Sequence, residues 1–284
     1  MARSLSGLVL IVTGATSGIG RATAIEAAKA GMDVVVCGRR AERLVEVCAS
    51  IAAHGRRGHA VVGDVTEEGF GARLLNEAER AFGRFDVVFA NAGYGAERRV
   101  LDYSQADLRR MFDVNFFAAT DLVMQAARRL RAHGRPGHLL MCSSCVAKFT
   151  LPGYGPYSAT KAAQALVCRA MRYELRADGI EVSSVHPVTT VTEFFEVAGR
   201  ASASGRPAIA EHAPRFVIQP PERVARAVIA CIRRPRSEVW TSFPTRLAAG
   251  LFTVFPRVAD FFLRPQLKWL PRTDAPITES VDAR

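Results

Sequence analysis

The chain predicts an α/β domain: a doubly wound parallel sheet with helices on both faces, followed by a short helical extension. Three observations lead there. Short apolar runs of strand length alternate with stretches of helical period, as in successive βαβ units. The first run, Leu8 to Val12, is apolar throughout, as a strand buried on both faces must be. Directly behind it stands TGATSGIG at 13–20, a glycine-rich turn at the first strand–helix junction.

The elements follow in order. Residues 19–30 carry a helical period that stops at Gly31, a residue suited to the left-handed conformation after a helix. Val34–Cys37 reads as a second strand, and 41–53 as a helix ended by His54 and Gly55. Ala60–Val62 is a third strand, 67–82 a helix stopped near Gly83, and Asp86–Ala90 a fourth strand. A long helix over 105–132, a strand over 138–142, a helix over 157–177 and a strand over 180–185 come next. Residues 193–218 mix aromatic, small and flexible side chains in the manner of a lid. Pro220 and Pro221 open a helix to about Arg233, and Glu238–Thr241 reads as a last strand. One domain therefore spans 1–242, and 243–284 is an extension rather than a domain of its own.

A length of 284 residues suffices for one large domain, and 49% hydrophobic with 23% charged residues excludes a disordered chain. The net charge of +11 is carried by arginine, since Lys29, Lys148, Lys161 and Lys268 are the only lysines. Such a balance suits an anionic cofactor, an anionic membrane or nucleic acid. No nucleic-acid module is legible, so nucleic acid is set aside. Six cysteines without a secretory framework point to a reducing, cytoplasmic setting. Cys142 and Cys145 form a C-x-x-C with no second ligand pair, so no metal is expected, and His186 reads as a packed strand-end residue. The N-terminal apolar run is short for a signal peptide, and no stretch is long enough to span a bilayer.

Two motifs carry chemistry. In the glycine turn, Gly14, Gly18 and Gly20 let the backbone approach a pyrophosphate at a helix N-terminus, with Thr16, Ser17 and Ile19 completing the loop. In the run YSATK, Tyr157 and Lys161 are one helical turn apart and share a face, with Ser144 upstream. An ammonium beside a phenol favours the phenolate, so Lys161 is expected to pull the Tyr157 pKa towards neutrality. Tyr154 and Ser143 are rivals, but Tyr154 has Ser158 rather than a cation four residues on.

Together with Asn91-Ala92-Gly93 and Asn115, these motifs resemble the short-chain dehydrogenase/reductase family, in order and spacing over about residues 5–240. The resemblance implies a Rossmann-type domain, a nicotinamide cofactor, and hydride exchange with an alcohol or carbonyl. It implies that Tyr157 is the general acid or base, that Lys161 lowers its pKa and hydrogen-bonds the nicotinamide ribose, that both residues thereby lie against the cofactor, and that Ser144 holds the substrate oxygen. Asn115 would fix a water that relays protons through Lys161. Asp64 and Val65 would flank the adenine, Asn91, Ala92 and Gly93 would lie against the cofactor ribose, and Pro187, Thr190 and Thr192 against its nicotinamide end. Asn91 has a second reading, as a brace for the turn. Where the family places an acid after the second strand to select NAD, this chain has Gly38 followed by Arg39 and Arg40, which implies NADP(H). Val188 stands where the family usually has glycine.

Phe149, Leu151, Tyr154, Phe194 and Phe195 would wall a lipophilic ketone or secondary alcohol. The alternatives are a 3-oxoacyl-thioester reductase and a non-catalytic dinucleotide sensor. By the same resemblance helices 105–132 and 157–177 would join a homodimer or homotetramer. Residues 243–272 set aromatic side chains among Arg246, Arg257, Arg264 and Lys268, a composition for peripheral membrane contact, for a dimer contact or for a cover over the cleft.

Overall fold

Strand β1 (Val9–Thr13) is buried along its whole length, which its uninterrupted apolar sequence permits. The structure, a computed structural model, describes residues 3–190 and 218–269. Around β1 lie β2 (Asp33–Gly38), β3 (Gly58–Val62), β4 (Val87–Ala90), β5 (Gly137–Cys142), β6 (Ile180–His186) and β7 (Glu238–Trp240). All pair in parallel, in the order β3-β2-β1-β4-β5-β6-β7. The chain winds outward from β1 to β3, then returns to lay β4 on the other side of β1. A crevice opens at that reversal, beyond the carboxyl ends of β1 and β4.

The period of two along each strand feeds two cores. Leu10 and Val12 of β1 face α1 (Gly18–Lys29), α2 (Ala41–Ala52) and α7 (Pro221–Arg233), where Ala24, Leu44, Val47, Val224 and Val228 pack. Val9 and Ile11 face α3 (Phe70–Phe82), α5 (Ala118–Ala132) and α6 (Gly155–Glu174), where Leu74, Leu122, Val123 and Met171 pack. Each such buried aliphatic side chain contributes roughly 1.5–3 kcal/mol of transfer free energy. A one-residue slip of β1 would exchange the two sets, so its register is firmly specified.

Most expected elements are present, with ends moved by a few residues. The predicted helix over 105–132 is different in kind. It comprises α4 (Gln105–Phe112), one π-helical turn over Asp113–Phe117, and α5. Ser104 and Asp107 form a capping box that starts α4. The π turn widens the helix by one residue, which hydrophobic periodicity cannot register. It turns Asn115 inward to complete burial. The expected start of α6 at 157 moves back to Gly155, because Pro156 supplies a preset φ at a position that has no helical hydrogen bond to lose.

In the extension, Pro256 separates α8 (Phe243–Val254) from α9 (Pro256–Leu263). Among the described residues no helix is long and apolar enough to cross a membrane.

Candidate active site

The cofactor cradle is built where β1 meets α1. Gly14 and Gly18 adopt positive φ, +65° and +54°, which lets the chain turn out of the strand and into the helix. Gly20 matters for space: a Cβ there would lie 2.3 Å from the Gly14 carbonyl oxygen. Ser17 is the extended N-cap of α1, no side chain caps the amides, and the first turn holds no acid. The dipole end of a twelve-residue helix therefore faces the crevice unopposed, as an anion site requires.

Asn91 braces this loop. Its Nδ2 donates to the Thr13 carbonyl at 3.0 Å, while Thr13 Oγ1 accepts from the Asn91 and Ala92 amides, each at 3.0 Å. Val65 borders the gap beside Thr13 and Ala92. At the end of β2, a Cβ on Gly38 would sit 2.6 Å from Thr16 Cγ2. Arg40 Nη2 donates to Thr16 Oγ1 at 2.8 Å, and the exposed Arg39 reaches within 3.8 Å of Asp64. Partial burial pushes the Asp64 carboxyl up, but hydrogen bonds from Thr66 and the Arg39 and Arg110 charges outweigh that and hold it below its usual range. A glycine-lined anion cradle followed by two guanidiniums fits a dinucleotide.

The reactive cluster lies at the other end of the crevice. On α6, Tyr157, Lys161 and Gln164 succeed one another along one helical face. Ser144, extended at the end of β5, has its carbonyl held by His186 Nδ1 at 2.9 Å. His186 also bonds Ser184 Oγ at 2.9 Å and stacks on Trp240, with burial pushing its pKa down to about 4. It is therefore a neutral brace for Ser144, a role beyond simple packing. Ser143, the rival hydroxyl, donates to the Lys161 carbonyl at 2.7 Å, so it ties α6 to β5.

The expected lowering of the Tyr157 pKa by Lys161 is not what the structure gives. Burial pushes the phenol up, the Cys142 thiol adds to that, and a hydrogen bond with the Ser144 side chain works the other way. The reason is where the ammonium points. Lys161 Nζ donates to the Cys142 carbonyl at 2.7 Å and to Gln164 Oε1 at 3.2 Å, and lies 5.6 Å from the centre of the Tyr157 ring. Burial pushes Lys161 itself down to about 8. The protein alone thus holds a protonated phenol, the form a general acid needs.

Asn115 is tied into the fold by its own hydrogen bonds. Its side chain is engaged by the Tyr94 backbone, accepting at 2.9 Å and donating at 2.8 Å, and it donates to Thr160 Oγ1 at 3.1 Å. Its carbonyl accepts from Gln164 Nε2. Gly93 makes this packing possible, since a Cβ there would come within 3.0 Å of Asn115 Oδ1 and 3.2 Å of Lys161 Nζ.

The expected substrate wall is only partly assembled. Tyr154 packs edge-on to Tyr157, and its hydroxyl donates to the buried Glu97 at 3.2 Å. Phe149 turns to the extension, meeting Phe252 at 5.4 Å between ring centres, and Thr253 Oγ1 donates to the Lys148 carbonyl at 2.9 Å. Leu151 is half-buried, its carbonyl accepting from the Tyr154 amide. The Pro187 carbonyl accepts from the Cys145 amide at 3.0 Å, while the Thr190 hydroxyl donates to the Val188 carbonyl at 2.8 Å and accepts from Gln219. Thr192, Phe194, Phe195 and all but the last residue of the lid expected over 193–218 lie outside the described residues. Glu97, Gln164 and the bracing role of His186 went unseen in the sequence, where only a three-residue step beyond Lys161 marked Gln164 as facing the site. Among the described residues no group of side chains could hold a metal ion, and all six cysteines are free thiols.

Fold and site together define a nucleotide-binding oxidoreductase with a phenol, a lysine and a serine at the head of its crevice. The profile of the short chain dehydrogenase family matches residues 8–202. An uncharacterized oxidoreductase YxnA of Bacillus subtilis is 30% identical over 91% of this chain and 72% of its own. A hydroxynaphthalene reductase-like protein Arp2 of Metarhizium robertsii is 31% identical over 87% of this chain and 96% of its own. A short chain dehydrogenase from Mycobacterium paratuberculosis, solved bound to NAD, superposes with TM-score 0.74 at 25% identity, over 86% of this chain and all of the other. The chain belongs to the short-chain dehydrogenase/reductase family.

Proposed function

We propose that the protein is an NADP(H)-dependent reductase or dehydrogenase that interconverts a lipophilic ketone and its secondary alcohol. The observation that carries this reading is the convergence of Tyr157, Ser144 and Lys161 at the end of a glycine-lined anion cradle. When bound, the dinucleotide supplies or accepts the hydride. In reduction, Tyr157 gives its hydroxyl proton to the carbonyl oxygen as charge develops there, and Ser144 donates a hydrogen bond to the same oxygen. The Lys161 ammonium then stabilises the phenolate that Tyr157 becomes. Arg39 and Arg40, beyond a strand that ends in Gly38 rather than an acid, support a phosphorylated ribose over a free diol.

The lipophilic substrate is supported by Tyr154 beside Tyr157 and by the docking of Phe252 on Phe149. That docking makes the extension a neighbour of the substrate loop. Its outer face exposes Phe243, Leu247, Val254 and Phe261 together with Arg246, Arg257 and Arg264. This composition supports peripheral contact with the cytoplasmic face of a membrane. We further expect a homodimer or homotetramer, which sedimentation of the purified protein tests.

A panel of ketones and alcohols, followed by dinucleotide absorbance with NADPH and NADH in parallel, tests the activity. Turnover of apolar ketones with NADPH is expected; turnover confined to thioesters would select the 3-oxoacyl alternative instead. Flotation on anionic vesicles, with and without residues 243–272, tests the membrane contact. Equal flotation of both forms would contradict it.

A further inference from the structure

Gln164 is fully buried, on the same face of α6 as Tyr157 and Lys161, and both ends of its amide are used. Oε1 accepts from Lys161 Nζ at 3.2 Å, and Nε2 donates to the Asn115 carbonyl in the π turn. A π turn shifts hydrogen bonding from i→i+4 to i→i+5, here Ala118 to Asp113, which changes which carbonyls the helix satisfies itself. An apolar residue at 164 would leave the Asn115 carbonyl and one ammonium proton without these partners in a dry interior, a cost that burial imposes in full. Leucine and methionine fill nearly the same volume, so packing alone does not call for an amide here.

We infer that Gln164 is a positioning residue, which clamps the Lys161 ammonium between the Cys142 carbonyl and the π turn. This rests on the reading of Lys161 as part of the reactive cluster. An amide has no proton to give or take near neutral pH, so it holds the lysine without relaying through it. The clamp favours the charged lysine, as any acceptor on an ammonium does. The titratable groups that face Lys161 are Tyr157 on its own helix and the Cys142 thiol at the end of β5. Gly93 and Asn115, from the two other segments against it, bring no charge.

With four lysines in the chain, the Lys161 side-chain resonance can be followed directly by carbon-labelled NMR during a pH titration of the intact protein. In Gln164→Leu, loss of one acceptor on a charged donor is expected to lower the Lys161 midpoint by roughly one pH unit. In Gln164→Glu, an added carboxylate is expected to raise it, and this variant carries the test if the leucine form does not fold. The basic limb of the activity profile should move with the midpoint in each case. A Lys161 midpoint unchanged in the leucine form, or unchanged or lowered in the glutamate form, overturns the inference and reduces Gln164 to packing. Because the titration needs no turnover, a protein that titrates as expected yet reduces no carbonyl overturns the reaction and leaves the clamp standing.

Discussion

Substituting Gly20 by alanine sets two effects of known size against each other. Alanine is the better helix former by about 0.8–1 kcal/mol, and Gly20 lies inside α1 without a positive φ, so propensity alone predicts a gain. Space predicts the opposite. The new Cβ would lie 2.3 Å from the Gly14 oxygen and 2.7 Å from Asn91 Nδ2, where contacts under 3.0 Å force something to move. The first neighbour is backbone, so the helix must lift from the loop, at the typical overpacking cost of about 1–3 kcal/mol. The Asn91 brace on Thr13 is strained as well, worth about 1 kcal/mol. The net expectation is a loss of roughly 1–3 kcal/mol in a urea melt, with weakened dinucleotide binding. Gly71 is the internal control. A Cβ there meets Asp121 Oδ2 at 2.8 Å and Gln125 Nε2 at 3.2 Å, both ends of flexible side chains that can swing away. Gly71→Ala should be neutral or slightly stabilising. Equal effects at the two positions would refute the claim that close approach of loop and helix explains Gly20.

Two further outcomes follow from the same geometry. Arg39→Ala should weaken NADPH binding at least tenfold and leave NADH binding nearly unchanged, measured by quenching of protein fluorescence; equal weakening would remove the basis for the NADP(H) assignment. Carbonyl reduction should be fullest while Lys161 is charged and fall as pH rises through about 8, the value to which burial lowers that lysine. Since the lysine loses its positive charge above its pKa, a profile rising through that range would have the wrong sign.

How far the sequence revealed this depended on the kind of signal. The alternation of apolar runs with helical segments was enough for the sheet, because strands buried on both faces are mostly apolar and their few polar residues, such as Ser184 and His186, find partners inside. The glycine turn was legible because Gly14 and Gly20 are demanded by backbone contacts that no other residue tolerates. What escaped were features that leave no period behind. The π turn changes the count by one residue and then resumes the same face. Glu97 and Gln164 belong to no motif, and only the fold shows them buried against Tyr154 and Lys161. The Tyr157 and Lys161 spacing puts both side chains on one helical face, but it does not set the direction of the ammonium. That direction is set by the Cys142 carbonyl from another strand, which helical spacing cannot foresee.

Replacing Tyr157 by phenylalanine tests the proposed chemistry most directly, because it removes one oxygen and keeps the ring that packs against Tyr154. Single-turnover hydride transfer should fall by at least about a thousandfold, within the range general acid catalysis contributes, while dinucleotide affinity and melting behaviour stay close to those of the unaltered protein. A variant that reduces ketones at an undiminished rate would show that the proton comes from elsewhere.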